Sequence, residues 1–316
     1  MSKKQNFQTI AFYNVENLFD TIDDPNTFDN DFTPEGKLNW DEEKYETKLN
    51  KIGSVISQLG IDENQNRPAI IGLVEVENEK VVTDLLNSRS LKHLNYDFVH
   101  EESTDERGID VAFLYNKEVF EVLSSEHFPL YLEDEFGERD FTRDILVVSG
   151  NLNGEIIHFL INHWPSRGEG TEISEPKRIL ASTLAREIVE NIQSRFFEPK
   201  IILMGDFNDD PTDKSLEFLV KDDFYNPMEK LLQIEYHGSL VHEKKWNLFD
   251  QIIFSKNFLE AETDKHQFVK ASIFDKDWMK VSRGKLKGSP FRTYIHKWYQ
   301  GGFSDHFPVY AFLEKN

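Results

Sequence analysis

Apolar residues in this chain are concentrated in short runs of strand length, which alternate with polar stretches and with helical patterns. The runs at 7–15 (FQTIAFYNV) and 68–76 (PAIIGLVEV) are each long enough for a buried strand. Between them, apolar side chains recur at steps of three and four residues from Asp41 onward, and Gly60 follows as a helix-ending residue. This order of strand, helix and strand predicts a sheet that is covered by helices.

The rest of the chain continues this alternation. Residues 20–40 are rich in Asp, Asn, Pro and Gly and are predicted to form an irregular loop. Residues 175–193 are predicted to form a helix, and a shorter helix opens near Thr212. No stretch has the composition of a linker, which predicts one domain over residues 1–316. The further predicted strands are 109–115, 144–149, 156–162, 200–205, 249–254 and 307–313.

Polar side chains lie at or just beyond the ends of these apolar runs. Asn14 and Glu16 are two residues apart, as are Asp206 and Asn208, and alternation along a strand places each pair on one face. Because a sheet-based enzyme builds its site at strand ends, these side chains are predicted to share one site. The complete set is Asn14, Glu16, Glu75, Asn162, His163, Asp206, Asn208, Asp250, Asp305 and His306.

The carboxylates of this set predict a metal site. Burying carboxylates side by side is costly without a cation, and a divalent ion removes that cost. The chain has no cysteine, which excludes disulfides, thiolate metal sites and Cys nucleophiles. Oxygen ligands favour Mg²⁺, Mn²⁺ or Ca²⁺.

Each residue of the set also has a purely structural explanation. Glu75 and Glu77 alternate in VEVEN and fit a solvated strand edge. Asp206 in GDFND fits ordinary turn chemistry. Comparable structural roles are available to His163 as a satisfied loop histidine, to Asp250 as a carboxylate held by backbone amides, and to the Ser304-Asp305 pair as a cap before Pro308. These explanations do not account for the ordered recurrence of polar residues at successive strand ends.

The charge of the chain is uneven. The formal net charge of −21 should repel nucleic acid at long range and counts against a tight, non-specific DNA binder. Residues 276–298, here called the basic segment, reverse this charge, with Asp277 as their one acidic residue. Interleaved basic and aromatic side chains suit a phosphate backbone and stacked bases, whereas a solvated loop with core aromatics is the alternative. The cations are Lys276, Lys280, Arg283, Lys285, Lys287, Arg292 and Lys297.

The ordered motifs resemble those of the endonuclease/exonuclease/phosphatase superfamily, which includes DNase I. They are FYNVEN, GLVEVEN, RGIDVAFLY, NHWPSR, MGDFND, FDQIIF and GGFSDHFPV. The resemblance covers residues 8–313, and GDFN followed by SDH-x-P is its most specific part. It implies an α+β fold of the DNase I type, a four-layer sandwich in which two packed β-sheets are flanked by helices. It also implies a Mg²⁺-dependent phosphoesterase.

The resemblance further implies a role for each matching residue. His306 takes a proton from water, and Asp250 fixes the tautomer of its ring. Whether His306 or Asp206 is the base stays open. The implied metal ligands are Glu75, Glu16 and Asp305. The other implied site residues are His163 and Asn208 in catalysis and Asn14 as a phosphate contact.

Three arginines are predicted to bind substrate. Arg107 precedes a glycine that lets the backbone approach a ligand, although an ion pair with a neighbouring acidic residue is the alternative. Arg143 matches an arginine of the family's bacterial branch, and Arg292 belongs to the basic segment. Arg178 lies on a predicted helix and is expected to form a structural ion pair.

Two functions share the implied chemistry. The first is a nuclease that hydrolyses DNA or RNA phosphodiesters, which the basic segment favours. The second is a phosphatase or phosphodiesterase for a small-molecule or lipid phosphate, such as an inositol phosphate or a sphingomyelin-like head group. A catalytically inactive binding protein is disfavoured, because every catalytic position holds an acceptable residue.

The start of the chain bears on where the protein works. Met1–Gln5 contains two lysines but no apolar region follows, which predicts a cytoplasmic protein without a signal peptide. No apolar run approaches the ~18 residues needed to span a bilayer. Nothing in the sequence implies a protein partner, and a monomer is expected.

Overall fold

Two six-stranded β-sheets form the centre of the fold. The structure, a computed structural model, describes residues 7–134, 136–235, 237–242 and 244–316. Met1–Gln5, on which the prediction about a signal peptide rests, lie outside the described residues. No helix in the described ranges combines the length and the apolar character that crossing a membrane requires.

Among the described residues, the strands pair mostly in antiparallel fashion, both in the two large sheets and in three two-stranded sheets. Their bounds are β1 (Phe7–Leu18), β2 (Pro68–Val76), β3 (Tyr96–His100), β4 (Asp110–Asn116), β5 (Phe120–Phe128), β6 (Leu132–Glu133), β7 (Arg139–Asp140), β8 (Ile145–Leu152), β9 (Glu155–His163), β10 (Lys200–Asp206), β11 (Phe224–Tyr225), β12 (Leu240–His242), β13 (Lys245–Asn247), β14 (Asp250–Ser255), β15 (His266–Ile273), β16 (Tyr294–Ile295), β17 (Trp298–Tyr299) and β18 (Val309–Lys315). The first sheet has the order β15-β18-β1-β2-β4-β3 and the second β11-β14-β10-β9-β8-β5. The pairs β1/β2 and β9/β10 are parallel.

Helices cover the outer faces of the two sheets. They are α1 (Glu42–Ile56), α2 (Ile61–Asn64), α3 (Glu79–Leu86), α4 (Thr171–Arg195), α5 (Lys214–Val220) and α6 (Met228–Leu232), with 3₁₀ turns at Asn30–Phe32, Lys256–Leu259 and Asp277–Met279. The N-cap of α1 is Asp41, whose side chain accepts from the Lys44 amide at 3.0 Å. Ala181 and Ile188 of α4 pack into one apolar cluster with Leu203 of β10, so α4 lies on the second sheet.

Alternation along β10 explains the layering. Ile202 and Met204 join the core between the sheets, whereas Leu203 faces α4. The sheets approach closely at Gly72 of β2, where a Cβ atom would lie 2.8 Å from Met204 Sδ. The predicted sandwich of two packed β-sheets flanked by helices is therefore confirmed.

The strands that sequence analysis missed share one property. The strands β3, β5 and β15 lie at sheet edges, and much of β5 is exposed. Edge strands need no continuous apolar run, because one side of the strand faces solvent. The predicted irregular region 20–40 contains only the turn Asn30–Phe32 as regular structure. The helix predicted at 175–193 is longer in the structure, at Thr171–Arg195.

The basic segment is folded back on itself rather than being an open loop. The Val281 amide donates to Ser289 O at 2.9 Å, and the Phe291 amide donates to Met279 O at 2.8 Å. The strands β16 and β17 follow as a short hairpin. These hydrogen bonds fix the position of the basic segment relative to the Ser304-Asp305-His306 motif.

Candidate active site

Three adjacent strands of the second sheet bring three of the predicted residues to one level. In the register of the sheet, Asp206 of β10 lies opposite His163 of β9 on one side and opposite Asp250 of β14 on the other. The glycine before Asp206 is required by packing, because a Cβ atom at Gly205 would lie 2.4 Å from Asn162 O. The site therefore forms where these strands end together.

The first sheet contributes Asn14 and Glu75. Asn14 Nδ2 donates to Glu75 Oε1 at 3.2 Å and to Asp206 Oδ2 at 3.0 Å, so it joins the polar ends of the two sheets. Glu75 is an extra residue between two paired positions of β2, with a φ of 65°. A left-handed backbone is uncommon for a residue other than glycine and here interrupts the alternation of VEVEN. The family resemblance implies that Asn14 contacts phosphate. In the structure its amide group donates to the two carboxylates.

His306 lies between carboxylates. Its Nδ1 is 2.7 Å from Asp250 Oδ2, and its Nε2 is 3.9 Å from both Asp206 Oδ2 and Asp305 Oδ1. The ring, Asp206 and Asp250 are all buried. Ser304 places this motif, since its hydroxyl donates to Asn14 O at 2.7 Å and accepts from the His306 amide at 3.0 Å. The cap role considered for the Ser-Asp pair thus falls on the serine.

Burial and the neighbouring negative charges shift the pKa of His306 in opposite directions. Burial by itself lowers the pKa of His306, but Asp250, its hydrogen bond, Asp305 and Asp206 together raise that pKa well above its ordinary value. Burial, followed by the charge of Asp250, raises the pKa of Asp206. The two side chains therefore both hold protons more strongly than usual.

The same side chains are a possible ion site. Among the described residues, the one group of three whose ligand atoms lie within 4.8 Å of one another is Asp206, Asp250 and His306. Their facing atoms are already engaged, with Asp250 on His306 and Asp206 on Asn14. This arrangement suits proton transfer better than metal ligation, because a cation would compete with the bonded imidazole.

The predicted metal ligands are not gathered in the same way. Glu16, Glu75 and Asp305 do not form such a group within the described ranges. Arg292 lies between two of them, with Nε 3.2 Å from Glu16 Oε1 and Nη2 2.8 Å from Asp305 Oδ2. The binding of one ion by these three carboxylates stays a prediction, and in the structure two of them bond to Arg292. Glu16 is turned toward cations of the protein itself.

Glu75 lies among hydrogen-bond donors and forms no direct ion pair with a lysine or arginine of the described residues. Its oxygens accept from the Asn17 amide at 2.8 Å and from Asn14, and His163 Nε2 is 3.7 Å away. Burial lowers the pKa of His163 well below its ordinary value, with Arg143 and Arg107 adding to the effect, so the ring is neutral. Within the described part of the chain, neither Lys nor Arg pairs with Glu75. Its carboxylate is the type of ligand that a hard cation takes, and Lys48, Arg143 and Arg292 also lie close enough to interact with its charge.

The predicted arginines differ in availability. Arg143 is buried, and donates to Asp105 Oδ2 at 3.0 Å and to Trp164 O at 2.9 Å. Arg107 is half-exposed, with Nε 3.8 Å from Asp105 Oδ1. Arg178 is fully buried, and its Nε is 2.7 Å from Asp209 Oδ1, which confirms the expected structural ion pair. Arg107 is thus the freest of these three side chains.

Asn208 and Asn162 hold backbone groups near the site. Asn208 has a φ of 51° and donates from Nδ2 to Trp164 O at 3.0 Å. Arg167 fixes the same turn, because its Nε donates to Asn208 O at 2.7 Å. Asn162 is buried and bonds to Leu160 O at 3.0 Å, so its role is structural. Sequence analysis did not single out Arg167.

Lys48 is a second residue that sequence analysis missed. It is buried on α1, with Nζ 3.7 Å from Glu16 Oε2 and 2.9 Å from Phe303 O. A signal was present, since Lys48 lies three residues after Tyr45 and four before Ile52 on the apolar face of the helix. A lysine in an apolar stripe indicates a buried partner of opposite charge.

The interpretation of Glu77 as a solvated carboxylate is wrong. Its side chain is buried, and Oε2 accepts from the Asp20 amide at 2.6 Å. Burial, with the charges of Asp20, Asp29 and Asp24, raises the pKa of Glu77 from 4.5 to about 8, against the opposing effect of the backbone bond. The bulge at Glu75 breaks the alternation that put both glutamates on one face. The Glu77 carboxyl therefore keeps its proton to a higher pH in the folded protein than an exposed glutamate does.

This burial predicts a pH dependence of stability. A carboxyl whose pKa is raised on folding binds more protons in the folded state, so the free energy of unfolding falls as pH rises from about 4.5 to 8. We expect Glu77→Gln to become more stable than the parent by about 1–3 kcal/mol when the pH is raised from 5 to 8.5. Urea unfolding at several pH values measures this difference. Exposed Glu79→Gln is the control, and a Glu77→Gln difference that does not change with pH would contradict the prediction.

Comparisons with known proteins agree with this geometry. Residues 9–315 match the family described as the endonuclease/exonuclease/phosphatase family. No curated protein matches the chain. An endonuclease/exonuclease/phosphatase family protein from Bacteroides thetaiotaomicron has a similar structure, with a TM-score of 0.61, 17% identity and 99% of each chain covered.

Two further solved structures have the same fold. A mannosyl-6-phosphatase of Bacteroides thetaiotaomicron has a TM-score of 0.60 and 17% identity, and the match covers 97% of this chain and 99% of that one. TDP2 of D. rerio, complexed with a single-strand DNA product, has a TM-score of 0.58 and 15% identity, with 97% and 98% covered. Identities this low show the fold alone, whereas the family match spans nearly the whole chain. The chain therefore belongs to the endonuclease/exonuclease/phosphatase family, whose members are hydrolytic phosphoesterases.

Proposed function

We propose that this protein is a Mg²⁺-dependent phosphodiesterase that hydrolyses nucleic-acid phosphodiesters. The observation that carries the chemistry is the junction of Glu75, Asn14, Asp206 and His306 at the ends of the two sheets. Hydrolysis of a phosphate ester needs neutralised non-bridging oxygens, an activated water and a stabilised leaving oxygen. The junction offers one carboxylate for a cation and a separate group for proton transfer.

In this proposal each residue of the site has a separate role in hydrolysis. His306 accepts the proton of the attacking water, and Asp250 holds its Nδ1 at 2.7 Å and stabilises the imidazolium that forms. Asp206 lies 3.9 Å from Nε2, and its charge stabilises the protonated ring. His163 and Asn208 face the phosphate as neutral donors, and Arg107 binds a more distant charge of the substrate. Asn14 orients Glu75 and Asp206.

Glu75 would hold the ion, with Mg²⁺ favoured over Mn²⁺ or Ca²⁺ as the resident metal. A divalent cation there would neutralise phosphate oxygens and would disfavour the protonated form of His306. The absence of a direct ion pair between Glu75 and any lysine or arginine of the described residues supports this role. Family members typically use divalent metals.

Exposed cations of the basic segment support a nucleic-acid substrate. Arg283, Lys285 and Lys287 are exposed, and Trp298 is exposed to 64%. Exposed aromatic and cationic side chains together suit stacked bases and a phosphate backbone. The solved TDP2 structure with a DNA product has the same fold.

A small phosphate ester is the second candidate substrate. Several cations of the basic segment are engaged within the protein, since Lys276 pairs with Asp62 at 2.8 Å and Lys280 with Asp275 at 2.7 Å. Fewer cations of the basic segment are therefore available to bind a polyanion than its sequence predicts. Acidic side chains including Asp20, Asp23 and Asp24 line a cavity of about 310 Å³, and their charge would repel a polyanion. The related fold of a mannosyl-6-phosphatase is consistent with this candidate.

Neutralising three exposed cations separates the two substrates. We expect Arg283→Gln, Lys285→Gln and Lys287→Gln in one protein to weaken cleavage of DNA or RNA. The dependence of log affinity on log salt should flatten by about 0.7–0.9 for each phosphate that the protein no longer neutralises. Hydrolysis of bis-p-nitrophenyl phosphate should be nearly unchanged, because this small diester needs only the metal and His306. Steady-state rates over a salt series measure both effects.

The matched control replaces three exposed lysines of other segments, Lys92, Lys221 and Lys256, by glutamine. It changes the net charge equally and should leave the salt dependence close to that of the parent. Equal losses in both triple variants would indicate a general charge effect. Nucleic-acid cleavage unaffected by the first variant at every salt concentration would favour the small-molecule substrate, which a panel with inositol phosphates, sugar phosphates and sphingomyelin would then identify.

A further inference from the structure

Another cavity opens beside the residues that are proposed to act in hydrolysis. It has a volume of about 340 Å³ and lies between the end of β1, the loop that follows β1, and the strand β16. Its walls carry both aromatic and polar side chains. The residues that line this space, here called the aromatic cavity, include Glu16, Asn17, Phe32, Trp40, Arg292 and Tyr294.

Two of these residues connect the aromatic cavity to the proposed reaction site. The Asn17 amide donates to Glu75 Oε2 at 2.8 Å, and Glu75 is the proposed metal ligand. Arg292 Nη2 donates to Asp305 Oδ2 at 2.8 Å, and Asp305 is the residue before His306. A group attached to a phosphate at the reaction site can therefore enter the cavity, because the cavity walls bond directly to residues of that site.

Three aromatic rings form one wall of the cavity. The ring centroids of Phe32 and Trp40 are 6.3 Å apart, and those of Trp40 and Tyr294 are 6.1 Å apart. Trp40 Nε1 donates to Phe19 O at 3.0 Å, and Tyr294 Oη donates to Leu38 O at 3.0 Å. Phe32 and Leu38 are partly exposed. The wall therefore offers a ligand an apolar face, because its N–H and O–H groups are engaged with the backbone.

The rim of the cavity is polar. Asn17 uses its backbone amide on Glu75, and its side-chain amide, which makes no hydrogen bond among the described residues, can both donate and accept. His296 also lines the cavity and is exposed. The backbone is left-handed at Glu16, Asn17 and His296, with φ values of 54°, 48° and 54°. Such backbone is uncommon in residues other than glycine, and it is concentrated at functional sites.

An apolar wall and a polar rim suit a flat ring that carries hydrogen-bonding groups on its edge. A nucleobase has this form, because its faces stack on aromatic side chains and its edge carries donors and acceptors. A sugar has hydroxyl groups around its ring, and the engaged wall offers them few partners. We propose that the aromatic cavity binds the base of a nucleotide next to the scissile phosphate, with Phe32 and Leu38 against its face. This inference rests on the proposed hydrolysis of nucleic-acid phosphodiesters.

Dinucleotides with and without a base test the inference. The substrates are the deoxyadenosine dinucleotide d(ApA) and two versions of it, in which either the first or the second deoxyribose lacks its base. Stacking of one base on aromatic side chains contributes roughly a 5- to 100-fold effect on affinity. One of the two abasic dinucleotides should therefore have a kcat/KM that is lower than that of d(ApA) by about this factor.

Two substitutions in the wall should remove this preference for a base. Phe32→Leu removes the ring but keeps an apolar side chain, and Leu38→Trp fills part of the cavity. In each variant the ratio of the kcat/KM values for d(ApA) and that abasic dinucleotide should fall toward one, because the variant loses what the base contributes. Leu286→Trp, at an exposed leucine of the basic segment, is the matched control and should keep the parent's ratio.

Binding without turnover gives a second measurement. Calorimetry should show that the parent binds dAMP more tightly than deoxyribose 5-phosphate, by roughly the same 5- to 100-fold, and that Phe32→Leu loses this preference. Photo-cross-linking of 8-azido-dAMP to the parent, followed by mass spectrometry of the peptides, should label residues 32–40 or 291–296. This measurement needs no variant, so it decides the location of the base even if both wall variants fail to fold.

Several outcomes would overturn the inference. They are equal kcat/KM values for d(ApA) and both abasic dinucleotides, a preference for the base that survives in folded Phe32→Leu and Leu38→Trp, or a cross-link confined to other parts of the chain. Tighter binding of mannose 6-phosphate than of dAMP, lost in Leu38→Trp, would assign the cavity to a sugar. A parent that hydrolyses no dinucleotide but prefers dAMP and cross-links in the cavity would contradict the proposed function alone.

A parent that hydrolyses d(ApA) and both abasic dinucleotides at equal rates would contradict the inference alone.

Discussion

Glu75→Gln is expected to lose nearly all metal-dependent hydrolysis while remaining folded. The substitution keeps the size of the side chain, but it removes the negative charge that is proposed to hold the ion. It also removes one of the two acceptor oxygens, so that only one of the bonds from Asn14 and Asn17 can remain. We expect kcat to fall by about 10²-fold or more and Mg²⁺ affinity to fall with it. Rates measured across a Mg²⁺ titration, with calorimetry for binding, check both effects.

Glu77→Gln is the matched control for this experiment. It makes the same chemical change two residues later, at a side chain that bonds to the Asp20 amide. Its activity should stay close to that of the parent. Turnover of the parent that continues unchanged in EDTA would exclude the metal-dependent mechanism.

His306→Gln is expected to reduce kcat by about 10²–10⁴-fold, the usual contribution of a general base. Glutamine is preferred to alanine because Asp250 is fully buried and bonds to His306 at 2.7 Å. Removing that partner would leave a buried carboxylate unpaired, at a cost of roughly 1–3 kcal/mol in stability. Single-turnover rates with circular dichroism as a folding check measure the effect on catalysis.

Asp250→Asn separates a base from a structural pair. Asp250 is the first of the carboxylates that raise the pKa of His306, so its loss should lower that pKa. If His306 is the base, the acidic limb of the rate profile moves to lower pH, because the ring loses its proton earlier. A near-parental rate in His306→Gln would transfer the base role to Asp206. Equal, modest losses in both variants with no shift of the profile would indicate a structural pair.

Local patterning was sufficient for much of the fold. Continuous apolar runs located β2, β9 and β10, and three- and four-residue spacing located α1, because these elements bury a regular face. The same patterning missed the edge strands β3, β5 and β15. Their exposed sides carry polar residues, so burial leaves no continuous trace in the sequence.

Backbone geometry limited the prediction of side-chain direction. Alternation put Glu75 and Glu77 on one face, but the left-handed backbone of Glu75 places an extra residue in the strand. One carboxylate then faces Asn14, and the other is buried against the Asp20 amide. A bulge of this kind depends on how neighbouring strands pair.

The sequence by itself determined which residue types stand at the strand ends, and hence the family and the class of chemistry. Only the tertiary structure decided which charges meet. Arg292 lies 276 positions from Glu16, and Lys48 reaches the same carboxylate from α1. Charged side chains interact strongly over distances of a few ångströms. Their separation along the chain does not show which of them come that close. The ion pairs of Glu16 with Arg292 and Lys48 therefore follow from the packing of the two sheets, α1 and the basic segment.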